Sequence, residues 1–301
     1  MFTGCGTAMV TPFRSDGSLD EAGMRRLVRR QIDNGIDFLV PCGTTGESPT
    51  LSREEHLRVV AITVEEARGK KPVLAGAGGY NTHEVIELAR ECEKLGADGI
   101  LSVTPYYNKP TQEGLYEHYK AIAAAIHLPI VVYSVQGRTG VNVEPATLAR
   151  LATIQNIVGV KEASGNISQQ AEVLHRVPEH FTVLSGDDAI TLPLISLGGH
   201  GLISVVSNQI PAEMTALVRA ANQNDFATAR EIQRKWLPLM QINFVESNPI
   251  PVKWGMARMG LLEANYRLPM VPPSETSQKK IESVLDACGL LAREEALAGR
   301  N

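Results

Sequence analysis

Apolar runs rich in β-branched residues alternate with segments of helical period along most of the chain. Eight such runs occupy residues 6–10, 38–40, 73–75, 99–103, 130–133, 157–160, 181–184 and 201–206. Continuous apolar runs of this length are typical of strands that are buried on both faces of a sheet. Because the strands alternate with helices, the pattern predicts right-handed βαβ units and a parallel α/β sheet.

The segments between the runs carry start and stop signals for helices. Residues 18–21 and 52–55 each have the pattern of a capping box, in which side chains bind the first N–H groups of a helix. Asn81 or Thr82 can cap a further helix, which Gly96 ends. These signals support helices in the places that the βαβ pattern requires.

Two fold classes are compatible with this pattern. Eight strand–helix units over roughly 220 residues favour a (β/α)₈ TIM barrel, for which about 250 residues is typical. The alternative is a doubly wound open sheet. It is disfavoured because residues 76–79 lack the later glycine of a GxGxxG fingerprint.

The strand pattern stops after about residue 224. Three later segments, 227–240, 251–262 and 275–291, have the character of helices, and prolines precede the last of them. We therefore expect residues 1–224 to form the barrel that carries the active site. Residues 225–301 are expected to form a C-terminal helical domain packed beside it.

Charge and composition narrow the class of partner. The 301 residues carry a formal net charge of −4 without a basic cluster, so nucleic acid is not an expected partner. No apolar run approaches the roughly 18 residues needed to span a bilayer. Residues 1–6 lack the basic and apolar stretches of a signal peptide. We expect a cytoplasmic protein without a membrane partner.

Metal-binding motifs are not evident in the sequence. The four cysteines are scattered without a CxxC pair, and the seven histidines form no HExxH motif. A metal site or a disulfide framework is therefore not expected.

Lys161 directly follows the apolar run 157–160, at the predicted carboxyl end of a buried strand. Desolvation disfavours the charged form of an amine, and a neutral lysine can attack a carbonyl to form a Schiff base. The alternative is a strand-end lysine whose ammonium reaches solvent. The choice depends on whether the rest of the chain supplies a pocket around it.

Polar residues also follow two other predicted strands. The turn 43–48 combines glycines with Thr44 and Thr45, so that backbone N–H groups can approach a small carboxylate. A tight turn that needs glycines for its shape alone is the alternative. Tyr133 could relay protons, and Arg138 could bind a carboxylate with its planar fork. Singly they fit a core tyrosine and a surface ion pair, but with Lys161 they describe a site for an anionic carbonyl compound.

At these residues the chain resembles the pyruvate-dependent class I aldolase family, which holds dihydrodipicolinate synthase (4-hydroxy-tetrahydrodipicolinate synthase) and N-acetylneuraminate lyase. The matching segments run in order over nearly the whole chain, from residue 4 to about 256: residues 6–13, 43–48, 104–110, 137–140, 159–162 and 185–188. Thr45, Tyr107 and Arg138 together favour the synthase over the sugar-acid lyases.

The resemblance implies a role for each residue of the site. Lys161 would form the imine with pyruvate, and Tyr133 would be the acid and base in imine formation and cyclisation. Thr45 and Tyr107 would complete a proton relay, with Tyr107 reaching in from a neighbouring subunit. Thr44 and Thr45 would hold the pyruvate carboxylate through backbone N–H groups.

The second substrate and the assembly follow from the same resemblance. Arg138 would hold the carboxylate of L-aspartate 4-semialdehyde, while Gly186 and Ile203 would line the pyruvate side. The product would be 4-hydroxy-tetrahydrodipicolinate, in lysine and diaminopimelate biosynthesis. No cofactor is implied, because the imine is the electron sink. A tyrosine acting in trans requires at least a homodimer, and a homotetramer built as a dimer of dimers is expected.

Two regions depart from the family pattern. Ser134 and Gln136 replace the usual Asn and Pro before the Gly-Arg pair, which puts the placement of Arg138 and the identity of the acceptor aldehyde in question. In the allosteric pattern for lysine, Ser48, His56, Glu84 and Tyr106 match, but Tyr80 replaces an Asn and Arg53 adds a cation. We therefore expect lysine to inhibit weakly.

Two other functions fit parts of the pattern. A related aldolase or dehydratase acting on a 2-keto sugar acid or 4-hydroxy-2-oxoglutarate would keep Lys161, Tyr133 and the threonine turn. A non-catalytic barrel that senses a keto acid is disfavoured, because a sensor has little use for an imine-forming lysine.

Overall fold

The computed structural model describes residues 2–291. Within them, eight parallel strands form one sheet in the order β2-β1-β8-β7-β6-β5-β4-β3. The strands are β1 (Gly4–Ala8), β2 (Phe38–Val40), β3 (Leu74–Gly76), β4 (Gly99–Val103), β5 (Ile130–Ser134), β6 (Ile157–Glu162), β7 (Thr182–Ser185) and β8 (Gly201–Ser204). Leu39 of β2 bridges in parallel to Val73, so the two edges of the sheet meet and close the barrel. The predicted TIM barrel is confirmed.

Helices alternate with the strands and continue after the last one. They are α1 (Glu21–Asp33), α2 (Arg53–Ala67), α3 (Thr82–Lys94), α4 (Gln112–Ala125), α5 (Gln136–Thr139), α6 (Pro145–Leu151), α7 (Ile167–Arg176), α8 (Thr191–Ser196), α9 (Pro211–Asn222), α10 (Phe226–Ile242), α11 (Ile250–Arg258) and α12 (Glu275–Ala287). Helix α10 packs on α9, and α11 packs on α12 and on the turn 206–208. Within residues 2–291 no helix is both long and apolar enough to cross a bilayer.

The helix caps follow the sequence signals with one exception. Ser52 and Glu55 form the predicted capping box of α2, and Asn81 caps α3. The capping box predicted at Ser18 is wrong. The N–H and hydroxyl of Ser18 donate to Asp16 at 2.9 and 2.6 Å, and Asp20 instead caps α1.

Most strand bounds differ from the predicted ones by one or two residues. At the ends of β1 and β8, distant side chains take the next N–H groups. β1 spans residues 4–8 rather than 6–10, since the Val10 N–H donates to Asn208 Oδ1 at 3.2 Å. β8 ends at residue 204 rather than 206. Beyond it, the N–H groups of Val205 and Val206 donate to the buried carboxylate of Asp188 at 3.1 and 3.2 Å.

Apolar side chains fill two regions. A large cluster lies between the barrel and its helices, and a smaller one fills the inside of the barrel. In the smaller cluster, the rings of Phe2 and Phe38 meet edge to face with centroids 5.7 Å apart. Because these rings and Leu74 lie where the strands begin, they close the amino-terminal end of the barrel. Polar groups are left to the carboxyl ends, where a TIM barrel carries its active site.

Candidate active site

Lys161 and Tyr133 lie side by side near the carboxyl ends of β6 and β5. They are directly paired in the parallel register of the two strands. The Nζ atom of Lys161 lies 4.3 Å from the centroid of the Tyr133 ring. Lys161 is only 4% exposed, so its amine is within the barrel and does not reach solvent. An amine and a phenol in this arrangement can form an imine and move its protons.

Gly186 makes room for the lysine. A Cβ atom at Gly186 would lie 3.1 Å from Lys161 Cε and 2.6 Å from the Cβ of Ala163. A larger residue there would clash with Ala163 and press on the stem of the lysine side chain. Ile203 of β8 is fully buried in the same interior cluster as Tyr133. The structure therefore brings both residues predicted for the pyruvate side into the barrel interior.

The threonine turn follows β2 and is held from several sides. The Gly46 N–H donates to Gly43 O at 3.1 Å, and the Thr11 hydroxyl donates to Gly46 O at 2.7 Å. Thr45 is 2% exposed, and its Oγ1 accepts a hydrogen bond from Asn248 Nδ2 at 2.9 Å. Among the described residues, no acceptor binds the N–H group of Thr44. The turn can thus offer a backbone donor to a small anion.

A buried ion pair holds the end of this turn. Lys253 of α11 donates to Glu47 Oε1 at 2.5 Å, and the two side chains are 0% and 1% exposed. The Nζ atom also lies 4.5 Å from the ring centroid of Phe13 and 5.2 Å from that of Tyr266. Burial lowers the pKa of the Lys253 ammonium, and Glu47 opposes that shift. Glu47 has a left-handed backbone, with φ of 54°, which the ion pair helps to maintain.

Arg138 lies on α5, immediately after Tyr133 and β5. Its Nη2 donates to the backbone oxygen of Asn248 at 3.0 Å. Arg138 also lines a cavity, and within the described residues no second acceptor binds its guanidinium. This leaves the planar fork able to bind a carboxylate.

Tyr107 is not part of this cluster within one chain. Its side chain is 90% exposed, and its backbone is left-handed with φ of 59°. It does not line the cavity that Tyr133 borders. The next residue anchors the loop, because Asn108 Nδ2 donates to Tyr80 O at 3.0 Å.

A cavity of about 340 Å³ opens at the carboxyl ends of β2 to β5. Thr44, Tyr133 and Arg138 of the predicted substrate site line it. The allosteric candidates Ser48, His56 and Tyr106 line it as well. Tyr80 and Glu84 do not line it. The cavity therefore borders residues of both predicted sites, while Lys161, Thr45, Gly186 and Ile203 do not line it.

The contacts of His56, Arg53 and Tyr80 describe the charges and packing around the allosteric candidates. Burial lowers the pKa of His56, whose Nε2 lies 2.8 Å from Gly76 O. A carbonyl oxygen only accepts, so Nε2 carries the proton and Nδ1 of the neutral ring is an acceptor. Arg53, expected to add a cation here, pairs with Glu91 at 2.7 Å, which offsets its charge. The Tyr80 ring packs edge to face on Tyr106, with centroids 5.1 Å apart.

The departures at residues 134 and 136 lie away from the cavity. Ser134 Oγ accepts from the Val143 N–H at 3.2 Å, on the side of the strand opposite Tyr133. Gln136 is exposed at the first position of α5. Neither side chain lines the cavity.

Sequence reasoning missed the contribution of the segment between α10 and α11. Asn248 and Lys253 reach Thr45 and Glu47 across more than 200 residues. The only local signal is a pair of polar residues among prolines, in the run 248–253. Within the described residues, no group of three or more His, Cys, Asp or Glu side chains could hold a metal ion.

Comparisons with known proteins agree with the geometry. A model of the Dihydrodipicolinate synthetase family matches residues 1–288. The 4-hydroxy-tetrahydrodipicolinate synthase of Koribacter versatilis is 57% identical over 289 residues, which cover 96% of both chains. The enzyme of the same name from Chloroherpeton thalassium is 52% identical over 290 residues, again with 96% of both chains covered.

Solved structures give the same result. The dihydrodipicolinate synthase of Aquifex aeolicus matches with a TM-score of 0.95 and 43% identity, covering 97% of this chain and 100% of its own. That of Thermotoga maritima matches with a TM-score of 0.95 and 48% identity over the same shares of the two chains. Family model, relatives and structures agree over nearly the whole length, and the chain therefore belongs to the dihydrodipicolinate synthase family.

Proposed function

We propose that this enzyme condenses pyruvate with L-aspartate 4-semialdehyde to give 4-hydroxy-tetrahydrodipicolinate, in lysine and diaminopimelate biosynthesis. The observation that carries the proposal is the pairing of Lys161 with Tyr133 inside the barrel, 4.3 Å from amine to ring centroid. Relatives at 49–57% identity bear the synthase name.

The chemistry divides into three stages. In its unprotonated form, Lys161 Nζ attacks C2 of pyruvate, and the resulting carbinolamine loses water to give an imine. Loss of a proton from C3 gives an enamine, and its C3 attacks the aldehyde carbon of the semialdehyde. The amino group of the acceptor then attacks C2, closes the ring and releases Lys161. The amine of Lys161 is regenerated, and the three stages need no oxidant or reductant.

The proposed roles of the other residues are those that the family resemblance implies. Tyr133 transfers protons in imine formation and cyclisation, with Thr45 and Tyr107 completing the relay. The N–H groups of Thr44 and Thr45 hold the pyruvate carboxylate, beside Gly186 and Ile203. Arg138 holds the carboxylate of the acceptor, since its guanidinium borders the cavity.

The acceptor is tested with a panel of aldehydes. Purified enzyme is supplied with pyruvate and with aspartate semialdehyde, a sugar aldehyde or glyoxylate, and condensation is followed as pyruvate consumption. Aspartate semialdehyde should give the highest kcat/KM. A preference for a sugar aldehyde or glyoxylate would instead support a lyase acting on a 2-keto sugar acid or 4-hydroxy-2-oxoglutarate.

Tyr133→Phe is expected to lower turnover by roughly 10²-fold or more, the scale of a lost acid–base group. Tyr107→Phe should have a smaller effect. Tyr116→Phe is a suitable control, because Tyr116 packs on Arg150 at 4.0 Å, on helix α4. Steady-state kinetics with both substrates measures these effects. Near-full activity of Tyr133→Phe would remove Tyr133 from the mechanism.

Arg138→Ala is expected to raise KM for aspartate semialdehyde while leaving imine formation with pyruvate nearly intact. A lost charge-assisted hydrogen bond costs about 1.5–3 kcal/mol, which corresponds to about 10- to 150-fold in affinity. Arg150→Ala, which removes an exposed ion pair with Glu113, is the control. An equal loss for both substrates would assign Arg138 a general structural role.

Lysine is expected to inhibit only at millimolar or higher concentrations. Tyr80 lacks the paired donor and acceptor of an amide, although His56 Nδ1 and Glu84 could still accept from an ammonium. A millimolar dissociation constant corresponds to about 4 kcal/mol. Calorimetry and kinetic titration measure it, and Tyr80→Asn should bind lysine more tightly than the wild type. A micromolar constant for the wild type would show that Tyr80 does not weaken the site.

We also propose a cytoplasmic homotetramer, organised as a dimer of dimers. The support is Tyr107, whose exposed side chain lies outside the cavity of its own chain. We further propose that residues 1–224 form the barrel domain and residues 225–301 a separate helical domain. Residues 292–301 of that domain lie outside the described residues.

A further inference from the structure

The segment that carries Arg138 lacks the proline that is usual in the family pattern. Gln136 takes that position, at the first residue of α5, and within the described residues its N–H group binds no acceptor. A proline there would fix the backbone without the loss of a hydrogen bond. Residues 135–143, here called the arginine loop, therefore need another restraint to keep the Arg138 guanidinium in one position.

A pair of amide side chains ties the arginine loop to helix α7. Asn142 Nδ2 donates to Gln169 Oε1 at 2.7 Å, and Gln169 Nε2 donates back to Asn142 Oδ1 at 3.1 Å. Two hydrogen bonds of opposite direction fix both the distance and the relative orientation of the two side chains. Because Asn142 follows Arg138 in the same short loop, the pair restrains the part of the chain from which the guanidinium extends.

A buried carboxyl group sets the direction of the amide pair. Glu162 ends β6 and is fully buried. Its Oε1 accepts from Gln169 Nε2 at 3.0 Å and from the Ser164 N–H at 3.3 Å, and its Oε2 accepts from Gln170 Nε2 at 2.7 Å. All three partners are nitrogen donors, so both oxygens of Glu162 act as acceptors. The nitrogen of Gln169 therefore has to face Glu162, which leaves its oxygen to accept from Asn142.

The same series of bonds reaches Ser134, the other residue that departs from the family pattern. The Ser134 hydroxyl donates to Asn142 Oδ1 at 3.5 Å and accepts from the Val143 N–H at 3.2 Å. From helix α4, Gln112 Nε2 donates to the backbone oxygen of Asn142 at 2.8 Å. Contacts from β5, α7 and α4 thus converge on Asn142. We call Glu162, Gln169 and Asn142 the loop clasp.

We propose that the loop clasp positions the Arg138 guanidinium for the acceptor carboxylate, in place of the restraint that a proline at residue 136 would give. No member of the clasp lines the cavity, so its residues act through Arg138 and not on the substrate. The proposal rests on the function proposed above, in which Arg138 binds the carboxylate of aspartate semialdehyde. Its consequence is that loosening the clasp weakens binding of the acceptor, while the imine with pyruvate still forms.

Gln169→Met tests the clasp, because methionine keeps the length of the side chain and removes its hydrogen bonds. We expect KM for aspartate semialdehyde to rise by about 2- to 10-fold, the scale of one lost neutral hydrogen bond. Both kcat and the rate of pyruvate trapping with borohydride should be nearly unchanged. Hydrogen exchange in the peptide that covers residues 135–143 should become faster, since the arginine loop has lost a restraint.

Gln170→Met is the matched control. Gln170 is the next residue of α7 and also donates to Glu162, but within the described residues it makes no hydrogen bond to the arginine loop. It is fully buried, whereas Gln169 is half-buried, so Gln170→Met should lower the melting temperature at least as much as Gln169→Met. We expect it to leave KM for aspartate semialdehyde near the wild-type value. A role limited to stability predicts that KM follows the melting temperature instead.

Gln136→Pro in the Gln169→Met background is the second test. Val135 has φ of −139° and ψ of 71°, outside the helical region that a following proline disfavours. The proline restricts the arginine loop directly, so KM should return toward the wild-type value and hydrogen exchange should slow. Failure of both to recover would overturn the proposal. So would an unchanged KM in Gln169→Met, or an equal rise in Gln170→Met.

Hydrogen exchange separates this proposal from the proposed function. It is measured without any substrate, so it reports on Gln169 whatever aldehyde the enzyme accepts. A wild type that does not use aspartate semialdehyde would contradict the proposed acceptor. A rise of KM for the aldehyde that it does use, in Gln169→Met but not in Gln170→Met, would still support the clasp. Wild-type hydrogen exchange of the arginine loop in Gln169→Met would overturn the clasp even if aspartate semialdehyde is the acceptor.

Discussion

Replacing Lys161 by alanine is expected to lower turnover by about 10³-fold or more, because it removes the group that bonds to the substrate. Losing a covalent nucleophile that works with a proton-transfer partner has effects of this size or larger in other enzymes. The matching result in the wild type is a reduced pyruvyl adduct after treatment with pyruvate and borohydride. Peptide mass spectrometry should find it on Lys161.

Lys253 provides an internal control for this labelling. It is buried as deeply as Lys161, but it is held in an ion pair with Glu47. Burial alone should therefore not lead to labelling, and the peptide containing Lys253 should remain unmodified. Labelling on Lys253, or an unchanged turnover of Lys161→Ala, would contradict the Schiff-base mechanism.

Lys253→Met is expected to destabilise the fold by about 3–5 kcal/mol, the usual cost of leaving one buried charge without its partner. Glu47 would remain 1% exposed and lose its only ion-pair partner in the described structure. Chemical denaturation at constant pH measures the loss, compared with Lys120→Met, which removes an exposed pair with Glu117.

The double variant Lys253→Met, Glu47→Gln tests the cause. When both charges are removed, no charge is left to desolvate, and much of the lost stability should return. If the double variant is as unstable as Lys253→Met, packing around the aliphatic stem would be the larger contribution. If Lys253→Met is as stable as the wild type, the ion pair does not hold the turn.

The strands and helix caps were predictable because they depend on neighbours in the sequence. Apolar runs and the Ser52 capping box are local patterns, and both appear in the structure. The end of β1 depends on Asn208, which is 198 residues from Val10. The end of β8 depends on Asp188, which is 17 residues from Val205 and precedes helix α8. No local pattern indicates that such a side chain will take a strand's next N–H group.

The candidate site shows the same distinction. Lys161 and Tyr133 could be placed together because the carboxyl ends of parallel strands meet at one face of a barrel. Asn248 and Lys253 follow no strand, and their partners are 203 and 206 residues away. Their roles became visible only when the helices after the barrel were placed against its threonine turn.

The ion pair between Lys253 and Glu47 has a consequence for recombination between relatives. The barrel supplies the amine and the phenol, but the helices that follow it supply the contacts that hold the threonine turn. A chimaera that joins this barrel to a foreign C-terminal part would inherit a turn without its anchors. Crossovers near residue 224 should therefore yield active enzymes only when the incoming segment carries equivalents of Asn248 and Lys253.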